Sequence, residues 1–548
     1  MGNPREMKLP SLFLFTWLVL LPGVASVDAG ESWRIGPSAR LVLGQADFTS
    51  NAEGSGLSGM HRPADVAVDP TTGKVFVVDY ANHRVLRFAA FAELENGTDP
   101  EVVLGQPNFN TNTPGRSATK FSNPRQATVD AEGRLWVADT FNGRVLRFDG
   151  ASSKSSGASA DGVLGQVDFV TEDSPSSRSV MTSPFGVTVD ADGTLYVSEA
   201  LAHRVLAFQN AAALANGANA SFVLGQPNFT DVTSRTTRDG MDGPRGIAVD
   251  ALGNLFVADA FNNRVLRFDG VGALANGALA SSAFGQSNFT SSTFATSENR
   301  FWRPFDVAVD GEGRLWVADQ LNSRVLGFSG AATLPGFPSA DLLIGQETFD
   351  DRGTGTSQSD LAYADFDAMT SLDSSFGVGS GPDNRVWVAD SGNHRVLAFN
   401  QDRHFPDMRI GLNAGASRGN NVYNAGGSGQ TQSYKIRNGK KARLFARLEN
   451  DGNVDETCSL KGLGSNSRFT ISVFVVTGGR RNLTASVKAG SHQTDSLTPG
   501  SVRVYHHEIR PKGSKRKSRA TVRAWLQATS TTDSQVDRVV SLVKNRPK

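Results

Sequence analysis

The segment Leu135-Trp-Val-Ala-Asp-Thr-Phe-Asn-Gly-Arg-Val-Leu-Arg-Phe148 decides the fold, because it returns with few changes along the chain. In its fullest form it reads Trp-Val-Ala-Asp-x-x-Asn-x-Arg-Val-Leu-x-Phe, and its first strand closes at Asp79, Asp139, Glu199, Asp259, Asp319 and Asp390. The intervals are 60, 60, 60, 60 and 71 residues. A second landmark is a Gly-Gln pair with a Phe three residues after the Gln. It starts at Gly44, Gly105, Gly165, Gly225, Gly285 and Gly345, at intervals of 61, 60, 60, 60 and 60. A fixed period of this length, with several short strands in each unit, marks a solenoid or a propeller.

Working outward, the second full unit holds four strand candidates: Val102 to Gln106, Gln126 to Asp130, Arg134 to Asp139 and Arg144 to Phe148. Several are apolar at consecutive positions, the pattern of strands covered on both faces, as neighbouring blades would cover them. The tetrads Asp130-Ala-Glu-Gly133, Asp190-Ala-Asp-Gly193, Asp250-Ala-Leu-Gly253 and Asp310-Gly-Glu-Gly313 place Asp and Gly where tight hairpins need them. The first Gly-Gln strand, near residue 41, has no sheet of its own. The last unit, ending at Arg395-Val-Leu-Ala-Phe399, lacks an outer strand. Pairing the two completes six four-stranded blades and removes the open edges. The expected fold is all-β, with a six-bladed propeller over residues 38–402. Its last unit is expected to be long because the hairpin from Asp373 to Arg385 is expanded.

The motif Ala-Asp-x-x-Asn-x-Arg-Val, preceded by Pro244-Arg-Gly-Ile-Ala-Val-Asp250, resembles the NHL repeat, whose proteins form six-bladed β-propellers. The resemblance covers roughly residues 41 to 400. It says little about function, because such propellers occur in sensor ectodomains, RNA-binding and ligase-associated proteins, and one amidating lyase. That lyase carries its zinc histidines on the innermost strands. The matching positions here are Ala64, Arg125, Phe185, Arg245, Phe305 and Phe366, none a histidine, so its metal site and activity do not carry over. Arg125 and Arg245 are candidates for an anionic ligand at the channel mouth, with a structural ion pair as the other reading.

The acids Asp79, Asp139, Asp259, Asp319 and Asp390, and the arginines Arg84, Arg144, Arg204, Arg264, Arg324 and Arg395, recur too regularly to be six active sites. They are expected to pair at each blade corner. Residues that vary between blades are better candidates for function. The long polar loops from outer to next inner strand share one face with the turns between second and third strands. In those turns His83, His203 and His394 alternate with Gly143, Asn263 and Ser323. Three imidazoles on one face are a zinc-ligand set. A solvated turn that tolerates His, Gly, Asn and Ser alike is the competing reading, and no metal is assigned. No catalytic residue and no cofactor is expected: the chain has no nucleophile elbow, no phosphate-cradling loop and no His-Glu-x-x-His.

The 548 residues carry a formal charge of only +1, but its distribution is uneven. Residues 31–400 hold 27 basic and 42 acidic side chains, a net of −15. Residues 401–548 hold 26 and 10, a net of +16. An acidic propeller is a poor nucleic-acid binder. The single cysteine, Cys458, rules out a disulfide framework and the zinc module of a ubiquitin ligase. Residues 1–29 read as a signal peptide: Arg5 and Lys8, an apolar run from Leu12 to Leu21, then small residues to Ala29. Residues 407–548 are expected to form a basic β-sandwich of about seven strands, resembling the immunoglobulin-like modules of exported bacterial proteins. Its run from Arg510 to Arg519 reads as a hairpin loop, solvated or attracted to anionic envelope polymers.

The chain is thus expected to be a secreted, periplasmic or surface-associated monomer. It would be a non-enzymatic scaffold whose long-loop face binds a protein, peptide or glycan. The rival reading is a propeller enzyme of lyase or lactonase type with a metal in or near the central channel.

Overall fold

Each repeat unit folds into one antiparallel sheet, and the turn residues set its shape. The computed structural model describes residues 31–33, 35–361, 376–381, 383–400, 402–403, 406–412, 431–437, 440–450, 457–462, 468–476, 480–498, 501–512, 520–531 and 536–546. Residues 1–29, read above as a signal peptide, lie outside them. Two compact units are present: Trp33–Gln401, and Asp402–Lys548 joined by the strand Glu31–Ser32, which pairs with Asp402–Arg403.

In the first unit, blade 2 is built in order from Pro124–Val129, Leu135–Asp139, Arg144–Phe148 and Gly162–Leu164. Blades 1, 3, 4 and 5 repeat this order around the inner strands Pro63–Val68, Pro184–Val189, Pro244–Val249 and Pro304–Val309. The sixth sheet is assembled from both ends of the unit. Gly377–Ser380, Val386–Asp390 and Arg395–Phe399 are completed by Leu41–Leu43, with Leu41 opposite Ala398 and Leu43 opposite Val396. The inner strands touch in a closed cycle, so six blades surround one channel. Buried residues of adjacent blades share each core cluster: Trp136 and Ala138 of blade 2 pack with Val197 and Leu206 of blade 3. Consecutive positions in a strand are therefore all apolar, since each sheet has a neighbour on both sides.

The structure differs from the expected layout in blade 6. Its inner strand is Gly377–Ser380, turning at Gly381 (N–H to Arg385 O, 3.2 Å) straight into Val386–Asp390. The extra residues therefore precede the inner strand in the chain and do not expand the hairpin. Phe366 lies outside the described residues.

The second unit has two five-stranded sheets around one core. One runs Pro406–Gly411, Ala442–Asn450, Val502–Pro511, Phe469–Val475 and Arg481–Asn482. The other runs Thr431–Arg437, Val536–Arg546, Ala520–Ser530, Cys458–Gly462 and His492–Gln493. Among the described residues these two sheets hold ten strands, against about seven expected. Cys458 is buried in this core. His506 and His507 point to opposite sides: His507 lies inside, 3.0 Å from Ser541 Oγ, and His506 stacks on Phe474. Most of the basic run, residues 513–519, lies outside the described residues.

Candidate functional site at the long-loop end of the channel

The two sequence landmarks are bonded to each other. In every blade the repeated arginine is fully buried and pairs with the acid five residues before it, Arg84 with Asp79 and so on to Arg395 with Asp390, at 2.5 to 2.8 Å. Blade 3 uses the longer Glu199 where Ala202 replaces the usual Asn. The same guanidinium donates to the carbonyl of the Phe that follows Gly-Gln. Arg84 reaches Phe109 O at 2.8 Å, and Arg395 reaches Phe48 across the ring seam. Its remaining donors hold the long loop that leads into the same blade, as Arg84 does through Gly56 O and Gly59 O at 3.1 and 2.7 Å. The Gln amide adds a bond to the turn carbonyl, Gln106 Nε2 to His83 O at 3.1 Å. The Gly before it has φ between +80° and +92° in all six copies, and a side chain from the loop packs where its Cβ would stand. The repeat thus fixes the six long loops on one face through fully satisfied buried donors.

His83, His203 and His394 occupy the left-handed residue that ends the turn. The structure does not bring them together. Each Nδ1 accepts a backbone N–H from the start of the next blade: Asn123 at 3.1 Å, Gly243 at 2.9 Å and Arg62 at 3.2 Å. Asn263 does the same with its Oδ1 to Arg303 N, at 2.8 Å. Among the described residues no group of three or more His, Cys, Asp or Glu side chains is placed to hold a metal. Accepting at Nδ1 requires an unprotonated ring nitrogen, and burial pushes the His83 pKa down, as do nearby Lys120 and His61. A histidine whose folded pKa lies below its unfolded value, about 6.5, gives full stability above that value and loses it as pH falls. His83→Asn is expected to leave the melting temperature at pH 7.5 unchanged and to raise it at pH 5. Thermal scans at the two pH values check this, and an equal shift at both would remove the titration argument.

The long-loop end of the channel is closed by two layers that the repeat leaves variable. In blades 1 to 5 a shift in register after the opening proline of the inner strand turns the next residues toward the axis. One layer holds Asp65, Gln126 and Asp306. Gln126 Nε2 donates to Asp306 Oδ1 at 2.7 Å, Ala127 N to Asp65 Oδ2 at 2.9 Å, and Val378 N to Asp306 Oδ2 at 3.0 Å. These side chains satisfy inner-strand N–H groups that face the axis. Burial pushes Asp65 up to about 7, and burial together with the Asp65 carboxyl beside it raises Asp306 well above the usual carboxylate range. The two carboxyls share a hydrogen bond, and two like charges this close in a buried layer disfavour the doubly ionised pair. The other three blades place Gly186, Gly246 and Gly377 at this level; the Gln126 and Asp306 side chains fill the room at the first two, and the Ala64 backbone lies against the third. Beyond this layer an axial cavity of about 210 Å³ runs between the inner strands, lined by Val, Ala and Thr side chains.

Outside the carboxyl layer lies an arginine layer. Arg125 sits over the Tyr80 ring at 3.9 Å and Phe185 at 5.1 Å. Arg303, with φ +62°, lies over Phe261 at 4.7 Å. Arg245 is fully buried, with its guanidinium carbon 4.9 Å from the Phe305 ring and 5.5 Å from Phe185. Its Nη1 donates to Gln320 Oε1 at 3.2 Å, while Nε and Nη2 have no partner among the described residues. Burial, reinforced by Arg303 and Arg125, holds its pKa well below the usual arginine value. The sequence candidates Arg125 and Arg245 therefore meet the inner-strand rings Phe185 and Phe305 in one layer, joined by Arg303, which a left-handed backbone turns inward and which the strand pattern did not single out. Exposed apolar side chains decorate the same face: Leu57, Phe141, Val170, Leu201, Phe261 and Phe294, the last stacked on Trp302 at 4.8 Å.

A family model described as NHL repeat matches residues 60–88, 241–268 and 377–399. Among curated proteins the chain is similar to peptidyl-glycine alpha-amidating monooxygenase A of Xenopus laevis, 29% identical over 232 residues, 42% of this chain and 21% of that protein. It is also similar to NHL repeat-containing protein 3 of Mus musculus, 32% identical over 111 residues, 18% of this chain and 26% of that one. The chain spans about a fifth to a quarter of the length of these relatives. Among solved structures it is similar to a streptogramin B lyase, with a TM-score of 0.37 and 12% identity over 65% of this chain and 96% of that one. A calcium-binding protein, regucalcin, from Agrobacterium tumefaciens gives 0.35 and 12%, over 66% and 95%.

Proposed function

We propose, from the premise that this chain carries an NHL-repeat β-propeller, that it is an exported binding module. Its long-loop face takes a protein, peptide or glycan segment and seats an acidic group of that segment at Arg245. The observation that carries this reading is the Arg245 guanidinium, buried among aromatic rings with Nε and Nη2 unpartnered among the described residues. A buried cation of this kind is costly unless an anion answers it, and a guanidinium edge matches a carboxylate through paired N–H donors. The apolar side chains on the same face supply contact area for a longer ligand. The basic C-terminal unit, read as an immunoglobulin-like module, orients the propeller at the envelope.

Arrays of acidic peptides and of uronic-acid oligosaccharides, probed with the full chain and with Arg245→Gln, test the reading. Carboxylate-bearing members are expected to be retained by the parent protein and to lose at least about tenfold in affinity with the variant, roughly the value of one charge-assisted pair. Equal binding by both proteins, or stoichiometric zinc or calcium in the purified protein, would overturn it, the second in favour of a channel enzyme.

A further inference from the structure

The C-terminal unit has an outward sheet face on which the strands Ala442–Asn450, Val502–Pro511 and Phe469–Val475 set cations and rings side by side. Glu508, on the central strand, is nearly buried and receives Lys441 Nζ at 3.0 Å, Arg443 Nε at 3.3 Å and Arg510 Nη2 at 2.5 Å. Arg480 Nη2 stands 3.6 Å away. Four cations converge on one carboxylate, so the cluster keeps a surplus of positive charge. The cations are a third to a half exposed, and the shared carboxylate holds them in place. One pair of residues along the central strand, His506 stacks on Phe474 at 4.9 Å and lies 5.6 Å from Phe445, with Arg480 over Phe474 at 4.2 Å. His506 is only 4% exposed, and neither of its ring nitrogens has a partner among the described residues.

We propose that this face, centred on Glu508 and His506, is a docking surface for an anionic polysaccharide bearing carboxylates. Guanidinium groups match carboxylates edge-on. Flat aromatic rings at the same level offer a stacking floor for sugar rings. Neighbouring strands stand about 4.8 Å apart, a spacing of the same order as successive sugars in a polyuronate. A bilayer fits the face less well, because Phe445 and Phe474 lie half-buried beside His506 and do not protrude as membrane anchors do. A flexible acidic peptide offers charge but no ring to stack. The site is separate from Arg245 and stands whether or not the propeller face binds an anion.

The test uses the full chain with alginate oligosaccharides as probe, followed by calorimetry. Arg443→Gln with Arg480→Gln is expected to weaken binding at least tenfold. Lys461→Gln with Arg523→Gln, which removes the same charge from exposed positions of the other sheet, is expected to weaken it less than threefold. Arg245→Gln should leave it unchanged, which separates this proposal from the preceding one. Equal losses from the two double variants would mean net charge alone and would overturn the assignment. So would absence of alginate binding, or tighter binding to phosphatidylglycerol vesicles or to polyglutamate with the same dependence on Arg443 and Arg480. Thermal melts of both double variants confirm that these exposed substitutions leave the fold intact.

Discussion

Arg264→Met is expected to lower the unfolding free energy by about 3–5 kcal/mol, the cost of leaving a buried partner charge uncompensated. The Arg264 side chain donates to Asp259 at 2.7 Å, to Thr237 O at 2.8 Å and to Gly240 O at 3.0 Å, and also to Phe289 O. Methionine fills much of the volume but supplies none of these donors. Asp259 stays fully buried, keeping only the Asp242 N–H and the Asn262 amide. Urea denaturation of the parent, the single variant and the Asp259→Asn/Arg264→Met double variant measures the effect. The double variant is expected to recover part of the loss, since no charge is then stranded. A cost below about 1 kcal/mol, the value of an exposed pair, would mean that the clamp does not hold the loops.

Gly246→Ala should be as damaging for a steric reason. A Cβ there falls inside the contact shell of Asp306 Oδ1 and 2.6 Å from Asp306 Cα, across the boundary between blades 4 and 5. Backbone cannot step aside as a side-chain tip can, so the neighbouring inner strand must move and the axial layer opens. Overpacking costs typically 1–3 kcal/mol, and backbone contact places this case at or above the top of that range, about 3 kcal/mol. Gly272→Ala is the matched control, because its added Cβ meets open space and its φ is ordinary. Comparable melting temperatures for the two variants would show that the channel centre has slack.

The repeat was legible because its residues are the ones that bond blade to blade. Asp, Arg, Gly, Gln and Phe must each recur wherever the same clamp recurs, so the period, the blade boundaries and the seam at Leu41–Leu43 could all be read from letters. The axial layers were harder for the opposite reason. At the channel the six copies must differ, since six large side chains cannot share one axis. Asp65, Gln126 and Asp306 share their level with Gly186, Gly246 and Gly377 in a way that a search for sameness passes over. Aligning the inner strands and comparing residue volumes would have found it. The sixth inner strand is harder to place because its text, with Gly377 and Gly379, lacks the opening Pro and closing Val that the other five share; the glycines are there because the Ala64 and Val66 carbonyls of blade 1 lie where their Cβ atoms would be. In the C-terminal unit Pro406–Gly411 and Cys458–Gly462 carry little β-favouring text, and partners distant in sequence pull them into the sheets.

The seam has a mechanical consequence. Leu41 and Ala398 are opposite one another, and the chain leaves the ring beside them at both ends. Tension applied across those ends would open the pairs Leu41–Ala398, Val42–Leu397 and Leu43–Val396 one after another, like a zip, instead of loading them in shear together. The Arg395 to Phe48 bond lies beyond the last of these pairs and acts as the catch that must slip before the circle yields.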